Sequence, residues 1–159
     1  MDKTRFWQLI EESQNKKRDC EKQAAKLQKL LGKLSAEEIV AFDNIFNSLL
    51  VESYRWDLWG VAYIVNGGCS DDGFEYFRGW LVAQGREYFE RALGEPERAG
   101  DAARFEEAEC EDVLYAANHA HENKVGRAIP QEARTFNYPD EPVGQAWKEE
   151  ELEALFPRL

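Results

Sequence analysis

Hydrophobic residues recur at steps of three and four along most of the chain, which is the spacing of one face of an α-helix. In the first 34 residues they form two such stripes, beginning after Asp2 or Thr4. The charges around the second stripe are mainly lysines, typical of a solvated outer face. The pattern predicts two helices or one bent helix. The stripes are Phe6, Leu9, Ile10 and Ser13, and then Cys20, Ala24, Leu27, Leu31 and Leu34.

The next helix start is at Ser35, because Glu38 follows it at the spacing of a capping box. From there the apolar pattern continues to Asn66 and predicts one long helix, buried on much of its circumference and central to the fold. Gly67 and Gly68 end it, since glycine adopts the left-handed backbone that satisfies the last carbonyl groups of a helix.

Further helices follow this glycine turn. Ser70, Asp71 and Asp72 are three candidate N-caps for the first of them, and Gly85 is its expected end. The remaining periodic segments predict a short helix at 86–93 and a last long helix from Phe105 to Asn123.

The helical pattern is lost between residues 126 and 148, where prolines interrupt the chain. We expect an irregular arm there, pinned by Phe136, Tyr138 and Trp147, and then a short acidic helix that ends near Leu155. No internal repeat or linker divides the sequence. It therefore predicts one all-α domain over residues 1–159, a bundle of about six or seven helices with an irregular C-terminal arm.

Size and cysteine content place limits on the class of protein. With 159 residues, 43% of them hydrophobic, the chain is large enough for a core of its own. Cys20, Cys69 and Cys110 leave one cysteine over in any disulfide scheme, which favours free thiols in a reducing compartment, the cytoplasm. We expect neither export nor membrane insertion, because no apolar run is long enough for a signal peptide or a membrane span.

Charge narrows the range of partners. The net charge is −11, although residues 1–34 hold nine Lys or Arg against five Asp or Glu. So acidic a surface repels phosphate backbones, which argues against general binding of nucleic acids. A basic protein or a small cationic ligand is the more natural partner.

The turn and helix start between residues 66 and 75 form the best candidate site, because two helix ends meet there beside a thiol, a hydroxyl and carboxylates. The simplest interpretation is that Ser70, Asp71 and Asp72 cap the helix and complement its dipole. A second is a cation site in which Glu75 joins the two aspartates, with Asp57 as an outside ligand.

Two further interpretations involve neighbouring side chains. Cys69 is a candidate nucleophile, helped by a helix N-terminus and by His119 or His121, although the adjacent aspartates raise a thiol's pKa and oppose that role. The other is a ligand pocket lined by aromatic rings and Arg78. The full set of candidate binding residues is Trp56, Asp57, Trp59, Tyr63, Asn66, Cys69, Ser70, Asp71, Asp72, Arg78 and Trp80.

Asp57 and Arg78 stand among large apolar residues, where an unpaired charge is costly. We expect them to pair with each other or with a helix end. His121 is expected to face the core and His119 to stay polar, since residues two apart do not share a helical face. The common phosphate, dinucleotide, zinc and nucleophile motifs are missing, so the sequence predicts no metal or cofactor.

Several motifs resemble the family called domain of unknown function 4240. They are the runs Trp56 to Gly60, Ala62 to Ile64, Asn66 to Phe74, Phe77 to Leu81 and Gln84 to Arg86, with Phe6 to Ile10, Ser35 to Phe42 and Pro157 to Leu159 as further matches. The resemblance implies a bacterial cytosolic protein but no known activity, cofactor or catalytic residue. Gly94 to Arg98 departs from the pattern, which has a more aspartate-rich turn there.

These observations favour a non-enzymatic binding or protein-interaction module with an acidic surface and an aromatic pocket near residues 56–80. One alternative is an enzyme, such as a metal-assisted hydrolase, that uses Asp57, Asp71, Asp72 and Arg78. Another is an immunity-like inhibitor of a basic toxin. Converging carboxylates in an open cleft would indicate the enzyme, whereas carboxylates aimed at backbone N–H groups would indicate caps.

Overall fold

The computed structural model describes residues 1–103 and 107–159, and within them the chain forms eight α-helices and no β-strand. The all-α prediction is therefore confirmed. The helices are α1 (Lys3–Ser13), α2 (Cys20–Gly32), α3 (Ala36–Glu52), α4 (Trp56–Val65), α5 (Asp71–Ala83), α6 (Arg86–Gly94), α7 (Ala116–Val125) and α8 (Leu152–Leu155). Short 3₁₀ helices lie at Pro96–Gly100, Asp112–Tyr115, Gln131–Ala133 and Glu149–Glu151.

Side-chain caps start the first three helices. The carboxylate of Asp2 accepts from the Arg5 N–H at 2.8 Å, and that of Asp19 accepts from the Lys22 N–H at 3.0 Å. The first segment thus folds as two helices, one of the two arrangements predicted. The capping box at Ser35 is present in full, with Glu38 bonded back to the cap.

The central helix is broken, so the prediction of one helix through to Asn66 is wrong. α3 ends at Glu52, and the hydroxyl of Ser53 donates to the Leu49 carbonyl at 2.8 Å. Arg55 is extended, and the next backbone N–H, that of Trp56, donates to the carbonyl of Val143 at 3.0 Å. A distant part of the chain therefore satisfies the backbone groups that a continuous helix would have paired internally.

Both predicted glycine turns are confirmed. Gly67 and Gly68 have φ values of 68° and 118°, and the Gly68 N–H closes the end of α4 on the Tyr63 carbonyl at 2.7 Å. Gly85, with φ of 101°, separates α5 from α6. These positive angles are the reason that glycine stands at these positions.

The last long helix is shorter than predicted. Phe105 lies outside the described residues, 107–111 are not helical, and α7 begins only at Ala116. The cause is tertiary, because the Cys110 N–H donates to the Tyr76 carbonyl at 3.0 Å rather than within a helix. Gly79 allows this approach, since a Cβ there would lie 2.9 Å from the Cys110 carbonyl oxygen.

Cys20 and Cys110 form a disulfide with a Cα–Cα distance of 5.6 Å, which corrects the prediction of free thiols. Cys69 is the one free cysteine. Odd numbers of cysteines do not prevent one intrachain bridge, and positions 90 residues apart meet only through folding. A cytoplasmic location stays a prediction, and the cysteine content no longer supports it.

The core lies where α1, α3, α5 and α6 meet. Phe6 and Phe42 are at most 1% exposed and their ring centroids are 4.6 Å apart, while Trp7 contacts Phe89 at 5.6 Å. His121 is buried and His119 is exposed, as predicted. No helix in residues 1–103 and 107–159 combines the length and the apolarity that crossing a bilayer requires.

After α7 the chain continues as an arm, residues 126–159, that lies along the outside of the helices. Its segment 126–148 is largely irregular, as predicted, and the short final helix ends at Leu155. Leu152 and Phe156 are buried against α4, at Gly60, where an added Cβ would come within 2.8 Å of the Phe156 ring.

Candidate functional site

Three of the predicted pocket residues, Trp56, Trp59 and Trp80, belong to a continuous stack of rings rather than to the walls of an open pocket. Each neighbouring pair is stacked, with centroids 5.3, 5.0, 6.3 and 5.7 Å apart in order. Stacking of this kind adds to the burial of apolar area. The stack runs from the half-buried outer end to the core through Trp56, Trp59, Phe74, Phe77 and Trp80.

The arm covers the outer end of this stack. Trp147 donates its indole N–H to the Trp56 carbonyl at 2.6 Å, and its ring contacts Trp56 and Tyr63 edge-on, at 5.9 and 5.5 Å. Trp80, which was predicted to share a pocket with Trp56, is only 2% exposed and lies at the opposite, buried end. The protein's own rings thus occupy the region predicted for a ligand.

Asp57 pairs with Arg55, so the predicted pair with Arg78 is wrong. The two carboxylate oxygens of Asp57 accept from the Arg55 guanidinium at 3.0 and 2.6 Å, and one also accepts from the Leu58 N–H at 2.7 Å. The alternative prediction, pairing with a helix end, is confirmed because Leu58 lies in the first turn of α4. Arg55 itself is held by the Leu93 carbonyl at 3.0 Å.

Arg78 is also bound to a helix end. It is 3% exposed, and its guanidinium donates to the Leu50 carbonyl in the last turn of α3 at 2.7 Å and to the Phe74 carbonyl at 3.3 Å. It lies 4.7 Å from the rings of both Tyr54 and Phe74. Burial lowers the pKa of Arg78 from its usual value. These contacts indicate that Arg78 supports the packing of the helices rather than presenting a free charge.

The junction before α5 has the geometry of a helix cap. The Ser70 hydroxyl accepts from the Gly73 N–H at 3.1 Å, while Asp71 and Asp72 are exposed in the first turn. The Tyr54 hydroxyl lies 3.5 Å from the Asp71 carboxylate. Asn66 donates to the Ala108 carbonyl at 3.2 Å. Within the described part of the chain, no three His, Cys, Asp or Glu side chains are grouped as ligands for a metal ion.

Cys69 is poorly suited to act as a nucleophile. Burial, followed by the negative charge of Glu109, raises the pKa of Cys69 to about 11, so the thiol is protonated near neutral pH. His121 lies at the arm, where its Nδ1 is 2.7 Å from the Arg127 carbonyl oxygen. Asp71 adds to the rise in the pKa of Cys69, which is the effect of an adjacent aspartate that the sequence indicated.

A polar cavity of about 630 Å³ lies between the helices and the arm, at a place that the sequence did not indicate. We call it the arm cavity. Its helix side includes Asp43, Asn47, Leu50, Glu75, Leu114 and Asn118, and its arm side includes Gln131, Arg134, Phe136, Asn137 and Tyr138. Three of the seven charged or amide side chains that line it come from the arm, namely Gln131, Arg134 and Asn137.

Asp43 is the most deeply buried acid of this cavity, at 8% exposure. One carboxylate oxygen accepts from the Asn47 amide at 3.1 Å. Burial raises the pKa of Asp43 above its usual value, and the nearby Arg134, Asn47 and His121 oppose that rise without cancelling it. The carboxylate is therefore incompletely compensated when it is ionised.

Arg134 comes from the arm and faces the same cavity. Its Nη1 donates to the Gln131 side chain at 3.2 Å, and its guanidinium lies 5.8 Å from the Phe136 ring. The Nε of Arg134 is buried and has no hydrogen-bond partner among the described residues. Buried donors are nearly always satisfied, so the guanidinium of Arg134 is an exception that retains unused hydrogen-bonding capacity.

Hydrogen bonds hold the arm over the cavity. The Asn44 side chain donates to the Ala133 carbonyl at 3.1 Å and accepts from the Thr135 N–H at 3.0 Å. One turn farther along α3, Asn47 is 3.4 Å from the Tyr138 hydroxyl. Asp43, Asn44 and Asn47 thus give a buried helix one polar face. Such a face on a helix otherwise predicted to be buried was the signal available in the sequence.

A second cavity, of about 700 Å³, lies near the C-terminus. Its charges are already paired: Arg158 lies 2.9 Å from Glu97, and Arg98 lies 3.1 Å from Glu95. The arm cavity differs because Asp43 and Arg134 both retain unused hydrogen-bonding capacity. The arm cavity is therefore the stronger candidate for a ligand site.

Comparison with known proteins identifies the family. No curated protein and no solved structure matches the chain. A family described as "Protein of unknown function (DUF4240)" matches residues 1–123, which include α1 to α6 and most of α7. The arm lies beyond the matched region. Because the match extends over well more than half of the sequence, the chain belongs to the DUF4240 family.

Proposed function

We propose that the protein is a non-enzymatic binding protein that holds a small polar ligand in the arm cavity. The observation that carries this proposal is a pair of opposite charges that line the arm cavity without pairing: Asp43, which is buried, and Arg134, whose buried Nε has no hydrogen-bond partner among the described residues. A folded protein does not gain stability from such groups, since each costs desolvation free energy. A ligand that satisfies both groups recovers that cost.

Size and lining agree with a small ligand. A volume of about 630 Å³ falls in the range of small-molecule sites, which combine apolar walls with a few polar groups. Leu50, Leu114 and Phe136 provide apolar surface beside Asp43 and Arg134. The arm forms one wall, so ligand binding is expected to hold the arm more firmly on the helices.

The enzyme alternative has less support. Of its four residues, Asp57 is bound by Arg55 and the buried Arg78 donates to backbone carbonyls. Asp71 and Asp72 are exposed at the start of α5, as expected for residues that complement a helix dipole. The polar atoms of the four residues thus face different partners.

A basic protein partner is a second candidate, supported by the net charge of −11. An immunity-like inhibitor of a basic toxin is one form of this proposal. Such a complex depends on charge complementarity, so its affinity should fall as salt concentration rises. A bacterial source and a cytoplasmic location are part of the same proposal.

Thermal unfolding against a panel of compounds tests the small-ligand proposal. The panel contains amino acids, cationic metabolites, carboxylates, nucleotides and divalent metal ions. A ligand present at about 100 times its Kd is expected to raise Tm by about 5 to 10 °C. The rise should disappear in Asp43→Asn, which keeps the shape of the side chain, and persist in Asp72→Asn, a matched exposed control.

Two results would contradict the proposal. One is a panel in which no compound raises Tm. The other is a rise that Asp43→Asn keeps and that Asp71→Asn/Asp72→Asn loses, because the ligand would then bind at the junction before α5. Circular dichroism of each variant checks that the fold is retained.

A further inference from the structure

The arm cavity contains two opposite charges that do not neutralise each other. Asp43 and Arg134 are close enough for the arginine to influence the carboxylate, yet they do not form an ion pair among the described residues. Each instead has one side-chain hydrogen-bond partner among the described residues, Asn47 for the acid and Gln131 for the arginine. Opposite charges that share a cavity without meeting leave room for a group between them.

The two side chains offer complementary hydrogen-bonding capacity. The second carboxylate oxygen of Asp43 accepts no hydrogen bond within the described part of the chain, so it can accept from a ligand. Arg134 has the opposite capacity, since its Nε–H is a donor without an acceptor. A ligand that matches the cavity should therefore have a hydrogen-bond donor at one end and a hydrogen-bond acceptor at the other.

The charges in the cavity indicate which charges the ligand's donor and acceptor should have. Burial makes the Asp43 carboxylate hard to ionise, and Glu75 adds a second negative charge to the lining, so a cationic donor is favoured near them. A guanidinium such as that of Arg134 is a planar cationic donor, so its preferred acceptor is an anion such as a carboxylate. A ligand with only a cationic group or only an anionic group does not match the cavity.

We infer that the ligand of the arm cavity is a small zwitterion of the amino-acid type, whose ammonium group contacts Asp43 and whose carboxylate contacts the guanidinium of Arg134. This inference rests on the proposed binding function. A simple cation would leave the Arg134 donor without a partner, and a simple anion would be repelled by Asp43 and Glu75. A zwitterion satisfies both ends and adds no net charge to the cavity.

The walls between the two ends suit the rest of such a molecule. Leu50, Leu114 and Phe136 supply apolar contacts, while Asn118 is already engaged as acceptor for the Ile129 N–H at 2.9 Å. The side chain of the amino acid is therefore expected to be mainly apolar. Leucine and phenylalanine are suitable first probes because they match this lining in character.

The test compares each free L-amino acid with two derivatives that lose one charge. The amide lacks the carboxylate, and the N-acetyl derivative lacks the ammonium group. Isothermal titration calorimetry measures Kd for the three compounds with the full chain. Each lost charge is expected to weaken binding about 10 to 100-fold, since a hydrogen bond to a charged group is removed at each end.

Variants assign each end of the ligand to a residue. Arg134→Met removes the donor at similar length, so the free amino acid and its amide should then bind with about equal Kd. In Asp43→Asn the free amino acid and its N-acetyl derivative should become equal. Arg127→Met is the matched control, because this arginine is exposed on the same arm and should keep the full discrimination.

The outcomes separate this inference from the proposed function. If a singly charged compound binds as tightly as the free amino acid, and Asp43→Asn abolishes its binding, the arm cavity is a ligand site but the ligand is not a zwitterion. If no compound of any charge class binds, both the inference and the proposed function are overturned. Equal discrimination in wild type and Arg134→Met would overturn the assigned orientation.

Discussion

The helical body, residues 1–103 and 107–125, and the arm, residues 126–159, are held in different ways. The body has a core of aromatic and aliphatic side chains that includes Phe6, Phe42, Phe77 and Leu81, each at most 1% exposed. The arm buries few side chains, among them Leu152 and Phe156, and depends on hydrogen bonds to helix side chains such as Asn44. Burial of apolar area stabilises the body, whereas polar contacts position the arm.

This difference explains where the cavity lies. A segment without a continuous apolar face cannot close tightly over a helix that presents Asp43, Asn44 and Asn47. Asn44 and Asn47 are partly satisfied by the arm, but Asp43 and Arg134 keep unused hydrogen-bonding capacity. The site arises at the boundary between the two modes of packing, where polar groups remain available to a ligand.

The largest expected effect concerns the body, through its disulfide. Replacing Cys20 and Cys110 with alanine removes a crosslink between positions 90 residues apart. By the chain-entropy estimate, the free energy of unfolding should fall by about 4 to 5 kcal/mol. Guanidinium unfolding followed by circular dichroism measures this change.

Cys69→Ala is the matched control, because Cys69 is half-buried and free. It should change stability much less than the double variant. A thiol titration of the native protein under non-reducing conditions should find one free thiol. Three free thiols would contradict the disulfide and the stability change expected from it.

The next effect distinguishes the arm from the body. Phe156→Ala removes the arm's contact with Gly60 in α4 and should cost about 3 kcal/mol of local stability. Limited proteolysis is expected to cleave within the arm while the helical body remains intact. Leu155→Ala, at the neighbouring and exposed position, should leave the rate of cleavage unchanged. Cleavage of body and arm at equal rates would show that they unfold as one unit.

A smaller effect tests the cap before α5. Ser70→Ala removes the hydroxyl that accepts from the Gly73 N–H and should lower the free energy of unfolding by about 1 kcal/mol. Ser48→Ala is the control, since Ser48 is an exposed serine within α3. Urea unfolding of both variants measures the difference. Equal losses of unfolding free energy in the two variants would contradict the capping role of Ser70.

The smallest effect is the pH dependence of Asp43. Because burial raises the folded-state pKa of Asp43, its contribution to stability is present at low pH and is lost as pH rises through that pKa. Asp43→Asn has no carboxyl group to ionise at this position. The free energy of unfolding of the variant should therefore rise relative to that of wild type as pH increases from 4 to 7. Urea unfolding at intervals across that range measures the gain. A constant difference between the two proteins would contradict the buried, incompletely compensated carboxylate.

Features set by neighbouring residues could be predicted from the sequence. The capping box at Ser35 and the turns at Gly67 and Gly85 were predicted, and Ser70 was one of three candidate caps, because each feature depends on residues within one helical turn. The helical class follows from the same periodicity. The irregular arm was also visible, since its prolines interrupt that pattern.

Features set by distant residues could not be predicted in this way. The break at Ser53 has no glycine or proline, and Val143 pairs with the backbone of α4 from across the chain. The Cys20–Cys110 disulfide and the ring of Trp147 over Trp56 likewise join distant positions. Sequence spacing does not report such contacts.

The candidate site shows the same division. The sequence by itself determined the helical class, the cap at Ser35 and the spacing that gives α3 a polar face containing Asp43, because these depend on local backbone preferences and helical period. Only the tertiary structure decided that Arg134, 91 residues later, faces the same cavity and that Arg78 and Asp57 take other partners. The physical reason is that burial and charge pairing depend on which surfaces meet, and chain order does not specify that.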